Sequence, residues 1–203
     1  MTTPQTLLQR WAALLPDHPE LGRRLLSRWE EPHRRYHNAR HLSEVLAGVD
    51  LLASEAENLT AVRLAAWFHD AVHQGQPDDE ARSAALAAAE LRDAGADPGL
   101  VASVVRLVEM TRTHDPVDAD GRVLSDADLW VLAAPPRRYD EYLTQVRAEY
   151  AHLPVAVFAR GRVDVLSALL SRPRLFFTAL GVDRWEGVAR QRLSAELVAL
   201  SEG

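Results

Sequence analysis

Val101-Ala102-Ser103-Val104-Val105-Arg106-Leu107-Val108 is the stretch on which the fold turns. It is the part of the chain richest in valine, a residue that favours strands. Yet Val101, Val104, Val105 and Val108 are spaced along one face of a helix and do not alternate as strand residues do. With this segment helical, little else in the chain argues for a sheet. Alanine, leucine, arginine and glutamate dominate the composition, all good helix formers. The sequence predicts an all-α protein.

Caps and breakers extend that reading in both directions. Asp97-Pro98 offers a cap and a first-turn proline, opening the valine helix, which runs to about Arg112. Upstream, Asp78 or Asp79 caps a helix closed by Gly95, and Asn58 or Thr60 opens one through Trp67 to about Val72. Asn38 caps a helix to about Ala53. The first two helices run from about Pro4 to Leu15, with Thr3 as cap, and from about Pro19 to Glu31. Downstream, the polar stretch Thr113 to Arg122 reads as a loop. Ser125 is then expected to cap a helix to about Ala133. Tyr139 to His152, Val155 to Leu170 and Trp185 to Leu200 complete the set. No repeat or long linker divides the chain, so 1–203 reads as one helical bundle, with the chemistry between about 36 and 130 and helices of 139–203 packed on it.

At 203 residues the chain can bury roughly 70% of its unfolded surface, enough for a core without staples. Cysteine is absent, which excludes disulfide scaffolds, iron–sulfur clusters and thiol nucleophiles. Any metal must be held by His, Asp and Glu, and there are 8 histidines. A net charge of −6 argues against a nucleic-acid-coating protein. No apolar run is long enough to cross a bilayer, and the N-terminus lacks a secretory signal, so a cytoplasmic location is expected.

Histidines and carboxylates gather in three places: Tyr36-His37-Asn38-Ala39-Arg40-His41, His69-Asp70 and Ser125-Asp126-Ala127-Asp128-Leu129. His69-Asp70 directly follows the apolar run Leu64-Ala65-Ala66-Trp67-Phe68. A buried imidazole and carboxylate are costly alone, and one ion satisfies both. His41 lies 28 residues before His69, a spacing that suits a helix, a turn and a returning helix. Asp128 arrives on a later helix. Together they make a ligand set of nitrogen and oxygen suited to Mn, Fe, Zn, Ni or Co. Arg40, beside His41, is the best placed guanidinium for a phosphate. His73, one turn past His69, reads as a surface residue, and the five tryptophans read as core.

The order H…HD…D on an all-α chain resembles the HD superfamily of metal-dependent phosphohydrolases. More narrowly, YHNARH, AAWFHDAV, DDEARSA and SDADL are similar to a bacterial group of short predicted HD-superfamily hydrolases. The likeness runs from about Tyr36 to Phe177. It implies that His41, His69, Asp70 and Asp128 hold a divalent ion, Mg included, with Asp128 preferred because the family's last aspartate sits in an Ala-Asp context. Asp126 is then a cap or a support for the ligands. Some members hold two ions, which makes His114 and His37 candidates for a second ion, with Asp70 bridging. The family's water-positioning acid points to Glu80, with Asp79 second. No GYP motif or appended regulatory domain is present, so no cyclic-dinucleotide or alarmone substrate is implied.

The expected activity is hydrolysis of a small phosphorylated molecule, a nucleotide being one case. Two alternatives differ in class: a di-iron HD-type oxygenase, and a non-catalytic HD protein that binds a nucleotide or partner. No His-Glu-x-x-His, phosphate loop or G-x-S-x-G elbow supports another hydrolase.

Overall fold

A computed structural model describes residues 4–201, and every regular element among them is helical. Helix α1 spans Pro4–Leu14, α2 Pro19–Trp29, α3 Ala39–Leu51 and α4 Leu59–Phe68. Then come α5 (Asp79–Asp93), α6 (Pro98–Met110) and α7 (Ala119–Leu129). The chain ends with α8 (Pro136–Glu149), α9 (Val155–Ser171) and α10 (Glu186–Ser201). A π-helical segment, Gly181–Trp185, leads into α10. None of the described helices is long and apolar enough to cross a membrane.

Helix α4 is the axis. Its sequence, LTAVRLAAWF, is apolar on nearly every side, and seven of its ten residues are buried. A helix with no polar face has to be surrounded. Here α1, α3, α5, α6 and α7 pack on it. The valine helix, α6, buries Val101, Val104, Leu107 and Val108 against α4 and α5. Trp29, at the end of α2, donates its indole N–H to the Trp67 carbonyl at 3.0 Å and so ties α2 to the axis.

The expected caps at Asn38, Asn58 and Asp97 are in place, each side chain accepting backbone N–H groups of the first turn. Gly95 closes α5 with a φ of +71°, a conformation that suits glycine. Thr3, the expected first cap, lies outside the described residues. One expected boundary is corrected. The cap of α7 is Asp118, which accepts the Gly121 N–H at 2.8 Å, and not Ser125, which lies buried within the helix. Asp120 next to it accepts the N–H groups of Glu57 and Asn58, both at 2.8 Å. These bonds hold the start of α7 against the start of α4.

Helices α3 and α7 approach closely because small residues meet there. A Cβ added at Gly48 would lie 2.9 Å from the Ala127 Cβ. The C-terminal helices are fastened by paired charges. Arg138 on α8 grips Glu44 on α3 through two bonds of 2.7 Å, and Arg162 on α9 grips Glu196 on α10 at 2.7 and 3.0 Å.

Candidate metal centre

The four expected ligands, far apart in sequence, converge. Asn38 starts α3 so that His41 falls in its first turn and points inward. Helix α4 stops at Phe68, and His69 and Asp70 occupy the turn that follows. Asp128 sits in the last turn of α7. His41 Nε2 is 3.0 Å from Asp128 Oδ1 and 3.4 Å from His69 Nε2. His69 Nε2 is 3.3 Å from Asp70 Oδ2 and 3.5 Å from Asp128 Oδ1. His41 and His69 are buried, while Asp70 and Asp128 keep 17% and 12% of their side chains exposed. The centre therefore opens to solvent on its carboxylate side. That side faces a cavity of about 450 Å³ whose wall includes Glu80, Arg112 and His114.

The donor chemistry fits a cation. His69 Nδ1 lies 2.9 Å from the Ala66 carbonyl, which can only accept, so Nδ1 carries the proton. In the neutral ring this leaves Nε2 with its lone pair aimed at the cluster, the arrangement of a metal-ligating histidine. Burial works against a charged His69, but the carboxylates of Asp70 and Asp128 outweigh it and hold the imidazole pKa well above 6.5. Burial likewise opposes ionisation of Asp70 and Asp128, and the charged His69 outweighs it, holding both well below 3.8. Without metal the cluster thus retains a proton where a cation would sit.

His114 ends the turn after α6 at a φ of +49°, a left-handed conformation that only a few non-glycine residues, histidine among them, adopt with any frequency. It shares a 3.2 Å hydrogen bond with the Ser125 hydroxyl, and its Nε2 lies 3.6 Å from Asp128 Oδ2. Glu80, in the first turn of α5, lines the same cavity, and burial raises its pKa above 4.5.

Other expected positions are corrected. Arg40 does not face the cavity: neighbouring helix residues diverge by about 100°, so with His41 inside, Arg40 points outward. It pairs with Glu44 at 3.0 Å and Glu141 at 2.9 Å. Asp126 turns away from the ligands for the same reason. Its carboxylate accepts the N–H groups of Phe177 and Thr178 and the Thr178 hydroxyl, pinning the segment before α10. Asp79 is likewise spent, accepting the N–H groups of Gln74 and Gln76.

His37 lines the cavity but belongs to a second cluster. Its Nδ1–H donates to Glu149 Oε1, which also accepts from His73 Nε2 at 3.0 Å. The other Glu149 oxygen accepts the N–H groups of Arg35, Tyr36 and His37 at 2.8, 3.0 and 3.1 Å. Glu149, from the end of α8, thereby moulds the turn that leads into α3. His73 is not the surface residue expected, since only 12% of its side chain is exposed. Burial favours a neutral Glu149, but the bonds from His37 and His73 outweigh it and hold its pKa well below 4.5.

Arg34 escaped the sequence reading altogether. Its side chain is fully buried. It donates to the carbonyls of His37, Asp70 and Ala71 at 3.1, 2.7 and 3.2 Å, and to the Glu31 carboxylate at 3.1 Å. Trp29 forms a further wall, its ring centroid 5.3 Å from that of His69 and 6.2 Å from that of His41. The only local hint was the Arg34-Arg35 pair just before the histidine motif.

The chain matches no protein-family model, no curated protein and no solved structure.

Proposed function

We propose that the protein is a metal-dependent phosphohydrolase of the HD type, acting on a small phosphorylated molecule. One observation carries the reading: His41 of α3, His69 and Asp70 of the turn after α4, and Asp128 of α7 meet in one nitrogen–oxygen cluster at the base of a cavity. These four would hold a divalent ion such as Mn, Fe, Co, Ni, Mg or Zn, one or two per chain. When bound, such an ion polarises a phosphoryl oxygen and makes water a better nucleophile. Glu80, its pKa raised, accepts the proton that the attacking water gives up. Arg112, exposed on the cavity wall and without a side-chain hydrogen bond among the described residues, pairs with the phosphate in the role once expected of Arg40. His114, beside Asp128 and held towards the neutral ring by burial, supports a second ion.

The test is metal analysis of the purified protein, then a phosphoester screen with Mn, Co, Ni or Mg added. Hydrolysis that disappears in His69→Ala and Asp70→Asn is expected. A protein that binds metal yet cleaves no phosphoester with any of these ions overturns the reading.

The proximity of His114 to Asp128 favours a second reading, a di-iron oxygenase, because such a site needs additional imidazole. Two irons per chain after aerobic purification would support it, and iron-free protein that hydrolyses phosphoesters would exclude it.

A further inference from the structure

A second cavity, of about 360 Å³, adjoins the first. Tyr36, His37, Tyr142, Arg162 and Val165 line both, so the two share a wall. Beyond that wall the lining is almost wholly apolar: Val146, Tyr150, Leu153, Val157 and Phe158, with Gly161 between the side chains of α9. Val157 and Val165 are 53% and 50% exposed, an unusual state for valines flanking a cavity. A ligand in the cavity would cover them.

The charged groups on this wall are already engaged. Arg162 donates to both Glu196 oxygens and, at 2.8 Å, to the Tyr142 hydroxyl. His37 is held by Glu149. Among the described residues only the Tyr36 and Tyr150 hydroxyls and His37 Nε2 on this wall lack a hydrogen bond, few partners to offset the water that a sugar or a nucleobase edge would lose here. A hydrocarbon surface loses nothing of that kind and gains by leaving water.

We infer that the second cavity receives the organic part of the substrate, and that this part is a hydrocarbon group, an aromatic ring system or a short branched chain. The inference rests on the proposed phosphohydrolase reading and deepens it. The substrate is then a phosphate monoester of an apolar alcohol or phenol. In its hydrolysis the water oxygen joins phosphorus, the ester P–O bond breaks, and the alcohol leaves with one of the water's protons. The volume lies at the small end of ligand sites, which excludes long lipid chains.

Gly161 supplies the test. A Cβ built there meets no heavy atom within 4 Å, so the side chain of Gly161→Leu starts in open space at the lining of the cavity. Val157→Asp, at an exposed position, places a charge on the same wall. The full-length protein, with Mn(II), is titrated with 1-naphthylphosphonate, methylphosphonate and adenosine monophosphate. 1-Naphthol is titrated without metal, followed by intrinsic fluorescence. The naphthyl compound is expected to bind at least about tenfold tighter than methylphosphonate, and tighter than the nucleotide. In both variants, shown by thermal melting to be folded, that ratio falls towards one and naphthol binding is lost. Equal affinity for the naphthyl and methyl compounds, a preference for the nucleotide, or a ratio untouched by both variants overturns the inference. If naphthol binds in a Gly161-sensitive way but no phosphonate binds with any metal, the phosphohydrolase reading fails while the apolar preference of the cavity stands.

Discussion

Replacing Arg34 by methionine removes a guanidinium from the interior while keeping most of the aliphatic volume. The cavity contribution is therefore small, and the loss falls on the polar contacts. Three carbonyls and the Glu31 carboxylate lose their donor, and those of Asp70 and Ala71 sit where Arg34 alone reaches across from its own turn. Breaking a buried, hydrogen-bonded charge in this way costs about 3–5 kcal/mol. For a chain of this length each kcal/mol lowers Tm by about 2–4 °C, so a fall of about 6–20 °C is expected. Arg34→Lys keeps the charge but not the planar fork, and should recover only part of it. Calorimetry of the metal-free proteins measures the shift. The Mn(II) affinity of the same variants, by equilibrium dialysis, should fall about 10–100-fold, because Arg34 holds the backbone of Asp70 without touching a ligand atom. A Tm within about 3 °C of the parent, worth about 1 kcal/mol, would refute the assignment of Arg34 as the buttress of the site.

Mn(II) affinity should climb with pH, by up to about tenfold per unit, because the cation must displace the proton that Asp70 and Asp128 hold on His69; a flat profile between about pH 6 and 8 contradicts this. In the metal-free protein the raised His69 stabilises fully below its unfolded value of 6.5, and that contribution is lost as pH rises through the folded value, which melting curves in chelator will register. Glu149→Gln should cost about 2–3 kcal/mol at neutral pH by weakening the anchor of the 35–37 backbone. Since the Glu149 carboxyl lies below 4.5 in the folded chain, the wild type loses that contribution as pH falls through the lowered value, so the difference between the two proteins should shrink in acid. Gly48→Ala should destabilise by about 1–3 kcal/mol through the clash with Ala127 and weaken metal binding by parting α3 from α7; an increase in Tm, as helix propensity alone predicts, would show that the helices can part freely.

Local chemistry was legible in the sequence and long-range partnership was not. The caps at Asn38, Asn58 and Asp97 and the apolar run of α4 are readable because each involves residues within a turn of one another. The convergence of His41, His69, Asp70 and Asp128 was legible because His69-Asp70 follows an apolar run and the resemblance sets His41 and Asp128 beside it. The start of α7 was missed because Asp-rich 115–120 resembles a loop, whereas Asp118 and Asp120 are spent on backbone N–H groups. Adjacency to His41 suggested Arg40, although neighbours on a helix face different ways, and Asp126 supports the 177–178 backbone instead of the cluster. Glu149 was beyond reach because its partners lie 76–114 residues away, and Arg34 because it crosses 36–37 residues to the Asp70 and Ala71 carbonyls.

The four clustered residues belong to α3, the turn after α4, and α7, whereas most of the apolar cavity belongs to α8 and α9. Of the 17 residues in α9 only Leu166 is buried. Phe158, Leu169 and Leu170 are half-buried against the core, and Arg162 ties the helix to Tyr142 of α8 and Glu196 of α10, while many of the remaining positions are exposed. Inheritance can therefore rewrite the exposed positions of α9 while the His–Asp cluster stays as it is. Descendants of one such chain would keep the cluster and differ in what the cavity beside it admits, with the record of that divergence concentrated at the exposed positions between Val155 and Ser171.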